Sequence, residues 1–139
     1  MPAVIGGPHG RFNHARGTDR QIWIAAGVGV APFLSWLRAL DEHPPQHVDF
    51  FYTAAGEAPF AEEIRLIADR HPSLHAHLID TRVDGRLTPE RVLTTTDGEP
   101  GGLSVFMCGP NAMLSSFATA LRQAGVPARR IHREHFDWR

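Results

Sequence analysis

An unbroken apolar stretch, Ile22-Trp23-Ile24-Ala25-Ala26, runs straight into Gly27-Val28-Gly29-Val30-Ala31-Pro32. Few local patterns restrict a fold as strongly. An apolar run without polar alternation is a strand buried on both faces, the habit of parallel sheets. The glycine turn that follows sends the chain from strand into helix. Its glycines let backbone N–H groups come close to a pyrophosphate, and the helix N-terminus adds a favourable dipole. Pro32 stands at the third position of the usual G-x-G-x-x-G spacing. Proline suits the first helical turn, where its missing N–H is not needed. Taken alone, the pattern also fits a strand–turn–helix corner that binds nothing.

The same construction recurs late in the chain. Leu103-Ser104-Val105-Phe106-Met107-Cys108 reads as a second buried strand and runs into Gly109-Pro110-Asn111-Ala112-Met113, which opens another helix. Between and around these, strand and helix patterns alternate. The spacing predicts strands near 22–26, 48–54, 74–80, 103–108 and 130–136, and helices near 32–41, 60–70, 89–95 and 111–124. Helical stripes are Phe33, Leu37 and Leu40; Phe60, Ile64 and Ile67; and Met113, Phe117 and Leu121. Thr88-Pro89 is a helix start and Gly125 a helix stop, while His43–Gln46, Val83–Arg86 and Thr96–Gly102 read as loops. Such alternation builds βαβ units. The expected fold is α/β, a Rossmann-like five-stranded parallel sheet in the order 3-2-1-4-5 with helices on both faces. In an open parallel sheet, ligands lie beyond the carboxyl ends of the strands where the order reverses. The first and fourth strands flank that point, so both glycine motifs are expected on one crevice.

The chain of 139 residues is enough for one domain with its own core. A formal charge of −1 offers nucleic acid or an anionic membrane surface no attraction, so no nucleic-acid partner is expected. Every basic residue is arginine, which rules out a lysine Schiff base or a P-loop lysine. The single cysteine rules out an intrachain disulfide and points to a reducing compartment. No secretory signal is expected, and no apolar run approaches the roughly 18–20 residues of a membrane helix. His75 and His77 share a strand face, and His132 and His135 lie near the end, yet neither pair has a carboxylate or cysteine at ligand spacing, so no metal site is expected. There is no Gly-x-Ser-x-Gly elbow for a serine hydrolase.

The chain closes on Glu134-His135-Phe136-Asp137-Trp138-Arg139. The triple of G-x-G-x-A-P, C-G-P-x-x-M and a terminal E-x-F resembles the nicotinamide-binding module of the ferredoxin–NADP reductase superfamily. Within it the chain looks most like the bacterial ferric-reductase-like NADH oxidoreductases, over roughly residues 20 to 139. Residues 1–19 read as an arm or linker, and Gly7-Pro8-His9-Gly10-Arg11-Phe12 looks like the last turn of the family's flavin-binding barrel. Residues 20–139 are then the NAD(P)-binding domain, a fragment lacking its flavin domain and expected to show only background NADH oxidation with free FAD.

The resemblance implies roles. Gly27, Val28, Gly29, Val30, Ala31 and Pro32 would cradle the pyrophosphate, with Gly109, Pro110 and Met113 across the crevice. The Cys108 sulfur would lie against the nicotinamide and help to orient it, not act as a covalent nucleophile; the other reading is a small buried apolar residue. A helix N-terminus would depress its pKa if the thiol were exposed. Glu134 would position the nicotinamide and deliver a proton near the flavin, or else be a solvated glutamate. Phe136, with Trp138 in competition, would face the ring or simply pack in the core. Thr53, Ala54 and Ala55 end the second strand, where the adenosine ribose should lie. Relatives that take the 2′-phosphate often carry an arginine about where Ala55 stands, so NADH is expected over NADPH, with Arg82 and Arg86 the residues able to reach in from the next loop. The implied cofactors are NADH, with NADPH the alternative, and FAD in the complete protein. The implied partners are an N-terminal flavin-binding domain and a haem, iron–sulfur or ferric acceptor, in the cytoplasm or on the cytoplasmic face of a membrane-bound parent. A competing reading is a stand-alone nucleotide-binding module that senses redox state without catalysis.

Overall fold

The computed structural model describes residues 17–40, 47–56, 58–96 and 99–135. The Gly7–Phe12 stretch, the His43–Gln46 loop, Phe136 and Trp138 lie outside the described residues. Five strands, β1 (Arg20–Ala26), β2 (His47–Ala54), β3 (Leu74–Asp80), β4 (Leu103–Gly109) and β5 (Ile131–His135), form one sheet in the order β3-β2-β1-β4-β5. Every pairing is parallel. The helices are α1 (Ala31–Arg38), α2 (Ala61–Arg70), α3 (Thr81–Asp84), α4 (Pro89–Thr95) and α5 (Asn111–Gln123). The order and the strand positions are those expected from the apolar runs.

Successive residues of β1 explain why those runs are continuous. Trp23 and Ala25 enter a core shared with Phe33 and Leu37 of α1 and Ile64 of α2. Ile22 and Ile24 enter a second core with Val92 of α4 and Phe117 and Leu121 of α5. Both faces of the sheet are covered, so both parities of the strand are apolar. Trp23 is fully buried, and Trp36 meets it edge-on at 5.2 Å between ring centroids. Phe33, Phe50 and Phe106 complete this aromatic cluster. Trp23 is therefore a core residue, and Trp36 is partly buried against the same cluster. The buried Trp23 indole donates to Gln21 Oε1 at 2.8 Å, which satisfies the one polar atom that its burial brings along.

Local signals set the helix ends. Thr88 Oγ1 accepts from Arg91 N at 3.1 Å, and Pro89 follows at the first helical position. Gly125, at φ +114°, ends α5, and Val126 N donates back to Leu121 O at 3.0 Å. Two expectations need correction. Phe60 is not part of the α2 stripe. It caps the helix at φ +67° and is 48% exposed, so its spacing from Ile64 and Ile67 carries no packing. Thr81–Asp84, partly read as loop, forms the one-turn helix α3. It is started by Asp80, whose carboxylate accepts from Arg82 N at 2.9 Å. No described helix is long and apolar enough to cross a membrane.

Candidate functional site

The carboxyl ends of β1, β2 and β4 open onto one crevice, closed on its third side by Thr81. A cavity of about 310 Å³ is lined by Gly27, Val28, Thr53, Ala54, Ala55, Gly109 and Pro110. It shares Ala26, Thr53, Thr81 and Pro110 with a neighbouring cavity of about 600 Å³, which Arg86, Leu87 and Met113 help to line. Both glycine motifs thus meet on one site, at the point where the strand order reverses.

The two glycines of the first turn act differently. Gly27 has φ +57°, and a Cβ there would meet open space, so it is needed for its backbone conformation. Gly29 is buried, and a Cβ would stand 2.2 Å from the Cys108 carbonyl oxygen. Only hydrogen in place of a side chain lets this turn lie against the end of β4. The turn itself is a 3₁₀ stretch, Gly27–Val30, that leads into α1 with Pro32 in its first turn. The Val30 side chain is buried in the core, and neither Gly29, Val30, Ala31 nor Pro32 lines the cavities. These four residues shape the turn from behind, and Gly27 and Val28 face the opening.

Cys108 ends β4 with no exposure, within the core on the α1 side. Glu134 stands opposite it in the β4–β5 register and is half-buried. Burial, with the Glu134 carboxylate beside it, pushes the Cys108 thiol up to about 12. The condition for a depressed pKa, exposure at a helix N-terminus, is not met. At neutral pH this favours the protonated thiol over the thiolate.

Two features of the site were missed in the sequence. Thr81 lines both cavities. Its place as the first residue past β3 was a usable signal, since ligands gather beyond strand carboxyl ends. Asp80 joins the loops that follow β2 and β3: its Oδ1 accepts from Gly56 N at 2.8 Å and from Arg82 N at 2.9 Å. The backbone hydrogen bonds from Gly56 and then Arg82 hold the Asp80 carboxyl below its ordinary value. No sequence pattern signalled the first of these bonds, because it spans 24 residues.

His47, His75 and His77 lie away from the crevice, toward the other end of β2 and β3. His75 and His77 do have a carboxylate neighbour, on the adjacent strand. Asp49 of β2 meets His47 Nε2 at Oδ2 and His77 Nε2 at Oδ1, each at 3.0 Å. Burial alone would raise the Asp49 carboxyl, but hydrogen bonds from His77 and His47 outweigh it and hold the group below its ordinary value. Among the described residues, no group of three or more His, Cys, Asp or Glu is arranged to hold a metal ion.

Comparison with known proteins agrees with this geometry. The chain is 28% identical over 142 residues to the flavohemoprotein of Chromobacterium violaceum, an alignment covering 90% of this chain and 34% of that protein. The Amycolatopsis cytochrome P450 reductase GcoB superposes with a TM-score of 0.74 at 27% identity, over 94% of this chain and 42% of that one. The flavohemoglobin of Malassezia yamatoensis, solved with bound FAD and heme, superposes at 0.73 with 25% identity, over 85% of this chain and 32% of that one. The chain spans between roughly a third and two fifths of the curated relatives it matches. The model of the oxidoreductase NAD-binding domain matches residues 23–119, a stretch that contains both glycine turns and the strands that carry them. With the sheet order and the shared crevice, this places the chain in the oxidoreductase NAD-binding domain family, the nucleotide-binding module of the ferredoxin–NADP reductase superfamily.

Proposed function

We propose that this chain is the pyridine-nucleotide half of a flavin-dependent oxidoreductase. The convergence of Gly27-Val28 and Gly109-Pro110 on one crevice carries the reading. The residues present suit a dinucleotide. Gly27 leaves open space above its Cα, and small side chains at Ala54 and Ala55 leave the end of β2 accessible. Gly27 and Val28 would hold the pyrophosphate, with Gly29 to Pro32 setting the turn. Thr53, Ala54 and Ala55 would border the ribose, and Pro110 and Met113 the nicotinamide half, with Arg86 at the rim. When bound, the reduced nicotinamide supplies a hydride to a flavin.

Cys108 and Glu134 are the residues proposed for the reacting end. The neutral thiol offers a small polarizable wall that leaves room for a flat ring. Glu134 would orient the ring's polar edge and hold a proton near the redox centre. Phe136 is proposed to cover the ring from the chain's end. In the complete protein, FAD would sit in a preceding flavin-binding domain, of which residues 1–19 carry the last part. Electrons would leave to a haem, iron–sulfur or ferric acceptor. The similarity to a flavohemoprotein and to a cytochrome P450 reductase supports a haem acceptor. The ferric-reductase-like subtype rests on the motif triple alone. A cytoplasmic location, or the cytoplasmic face of a membrane-bound parent, is part of the same proposal.

The test is rapid-mixing reduction of the flavin in the full-length parent. Cys108→Ala is expected to slow flavin reduction by about tenfold or more while nucleotide binding changes little, the signature of an interaction made at the reacting geometry. An unchanged rate would remove Cys108 from the reaction and favour a binding module without catalysis.

A further inference from the structure

β5 is an edge strand beside β4, and its residues alternate between the two faces of the sheet. In the register, His132 stands opposite Phe106 and Glu134 opposite Cys108. Phe106 and Cys108 both belong to the core on the α1 side. The His132 ring lies on Phe106, with 4.6 Å between centroids and 14° between planes, so His132 shares that face. The Glu134 carboxylate acts on the Cys108 thiol from the same side. Arg133, between the two, turns to the opposite face, where its Nη1 donates to Ser115 Oγ of α5 at 3.5 Å.

Strand geometry sets the spacing. Residues two apart on one face are about 7 Å from each other. His132 and Glu134 are both half-buried, so solvent screens their charges less than on an open surface. The imidazole is also held in place. It stacks on a fully buried Phe106, which Trp36 of α1 meets edge-on at 5.5 Å. The other elements packed on this face bring little competing charge. β4 contributes the Cys108 thiol. The one charged residue of α1 is Arg38, which donates two hydrogen bonds to the Glu63 carboxylate of α2. Arg20 of β1 has the parity of Ile22, which enters the opposite core. Arg130, just before β5, donates to Gly101 O.

We propose that His132 is a positioning residue for the reacting end: its imidazolium, held flat on Phe106 along the strand face that carries Glu134, governs whether Glu134 holds a proton. This rests on the proposed role of Glu134 beside the nicotinamide. A neighbouring cation favours the ionised carboxylate. A histidine ordinarily loses its charge about two pH units above the range in which a glutamate gains its proton. The imidazole is then a cation where the carboxylate titrates, and losing that cation raises the pH at which Glu134 takes up its proton.

The experiment has two readouts. The first is a carbon-13 NMR titration of the Glu134 side-chain carboxyl in this chain, its resonance assigned by its loss in Glu134→Gln. The second is the pH profile of flavin reduction in the full-length parent. His132→Phe keeps a ring against Phe106 without the charge, and His132→Gln keeps polarity without the charge. Both are expected to raise the Glu134 midpoint by about one pH unit and to move the matching inflection of the rate profile with it. His132→Arg, a permanent cation, should leave both near their original places. An unmoved midpoint in His132→Phe and His132→Gln makes His132 a packing residue and overturns the assignment, with the role of Glu134 intact. A shift of equal size in His132→Arg also overturns it, since the ring and not the charge would then matter. A midpoint that moves while the rate profile stays put, or a profile that Glu134→Gln does not alter, overturns the proton role of Glu134 and the assignment of His132 together.

Discussion

The two ends of the parallel sheet are built on opposite principles. At the carboxyl end, the chain presents backbone and small residues. Gly27 and Pro110 border an open cavity, and Gly29 brings two turns together by having no side chain. At the amino end, side chains answer one another. Thr18 Oγ1 donates to Gly102 O, Thr18 N donates to Ser104 Oγ, Gln21 bridges Thr18 O and the Trp23 indole, and Asp49 takes up both His47 and His77. One end leaves room for a ligand at the cost of little packing; the other closes its polar groups internally. Stability and binding are therefore expected to respond separately to changes at the two ends.

The sharpest way to break that separation is Gly29→Ala. Its methyl group would overlap the Cys108 carbonyl, and backbone cannot give way as a flexible side chain can. The expected cost is about 3 kcal/mol in denaturant unfolding, together with loss of nucleotide binding, since the turn must shift. A stable protein with unchanged affinity would show that the turns do not need their close contact. At the opposite end, Asp49→Ala leaves two histidines without their shared acceptor. A loss of about 2 kcal/mol in stability is expected, with nucleotide affinity unchanged by calorimetry. A fall in affinity there would couple the two ends and defeat the comparison.

The pH dependence of stability tests the same carboxylate. The Asp49 carboxyl is held below its ordinary 3.8 in the folded state. Its contribution is therefore fully present above that value and is lost as pH falls through the lower folded value. Acid unfolding followed by circular dichroism should show a steeper loss below about pH 4 in the parent chain than in Asp49→Asn. Identical acid limbs would mean that the carboxylate makes no net contribution.

Gly27→Ala is expected to be milder than Gly29→Ala. Nothing stands near a Cβ at Gly27, so the cost is that of a left-handed residue, about 1–2 kcal/mol. A cost equal to that of Gly29→Ala would erase the distinction between a conformational and a packing glycine. The smallest effect concerns Tyr52. Its hydroxyl is buried with no hydrogen-bond partner among the described residues, and burial pushes its pKa up. Tyr52→Phe removes an unsatisfied group at nearly constant volume and should raise the melting temperature slightly or leave it unchanged. A clear drop would reveal a partner for that hydroxyl.

Much of the fold was legible because one physical cause acted over short range. Ile22 to Ala26 and Leu103 to Cys108 are continuous apolar runs since helices cover both sheet faces, and the glycine turns that follow are punctuated locally. Phe60 misled because helical spacing predicts a shared face only inside the helix, and α2 starts one residue later. α3 was partly hidden because a single turn has too few residues for a period.

The sequence by itself determined the alternation of strands and helices, the sheet order through its two strand–glycine–helix turns, and the meeting of those turns on one crevice. These follow from local periodicity, turn chemistry and the chain connectivity of βαβ units. Only the tertiary structure decided that Cys108 is a buried, protonated thiol, that Asp49 serves two histidines, and that Arg82 rests on Gly56. Each of these depends on groups brought together across strands or between loops. Burial, charge and hydrogen-bond satisfaction belong to that assembled neighbourhood, and no window along the chain contains it.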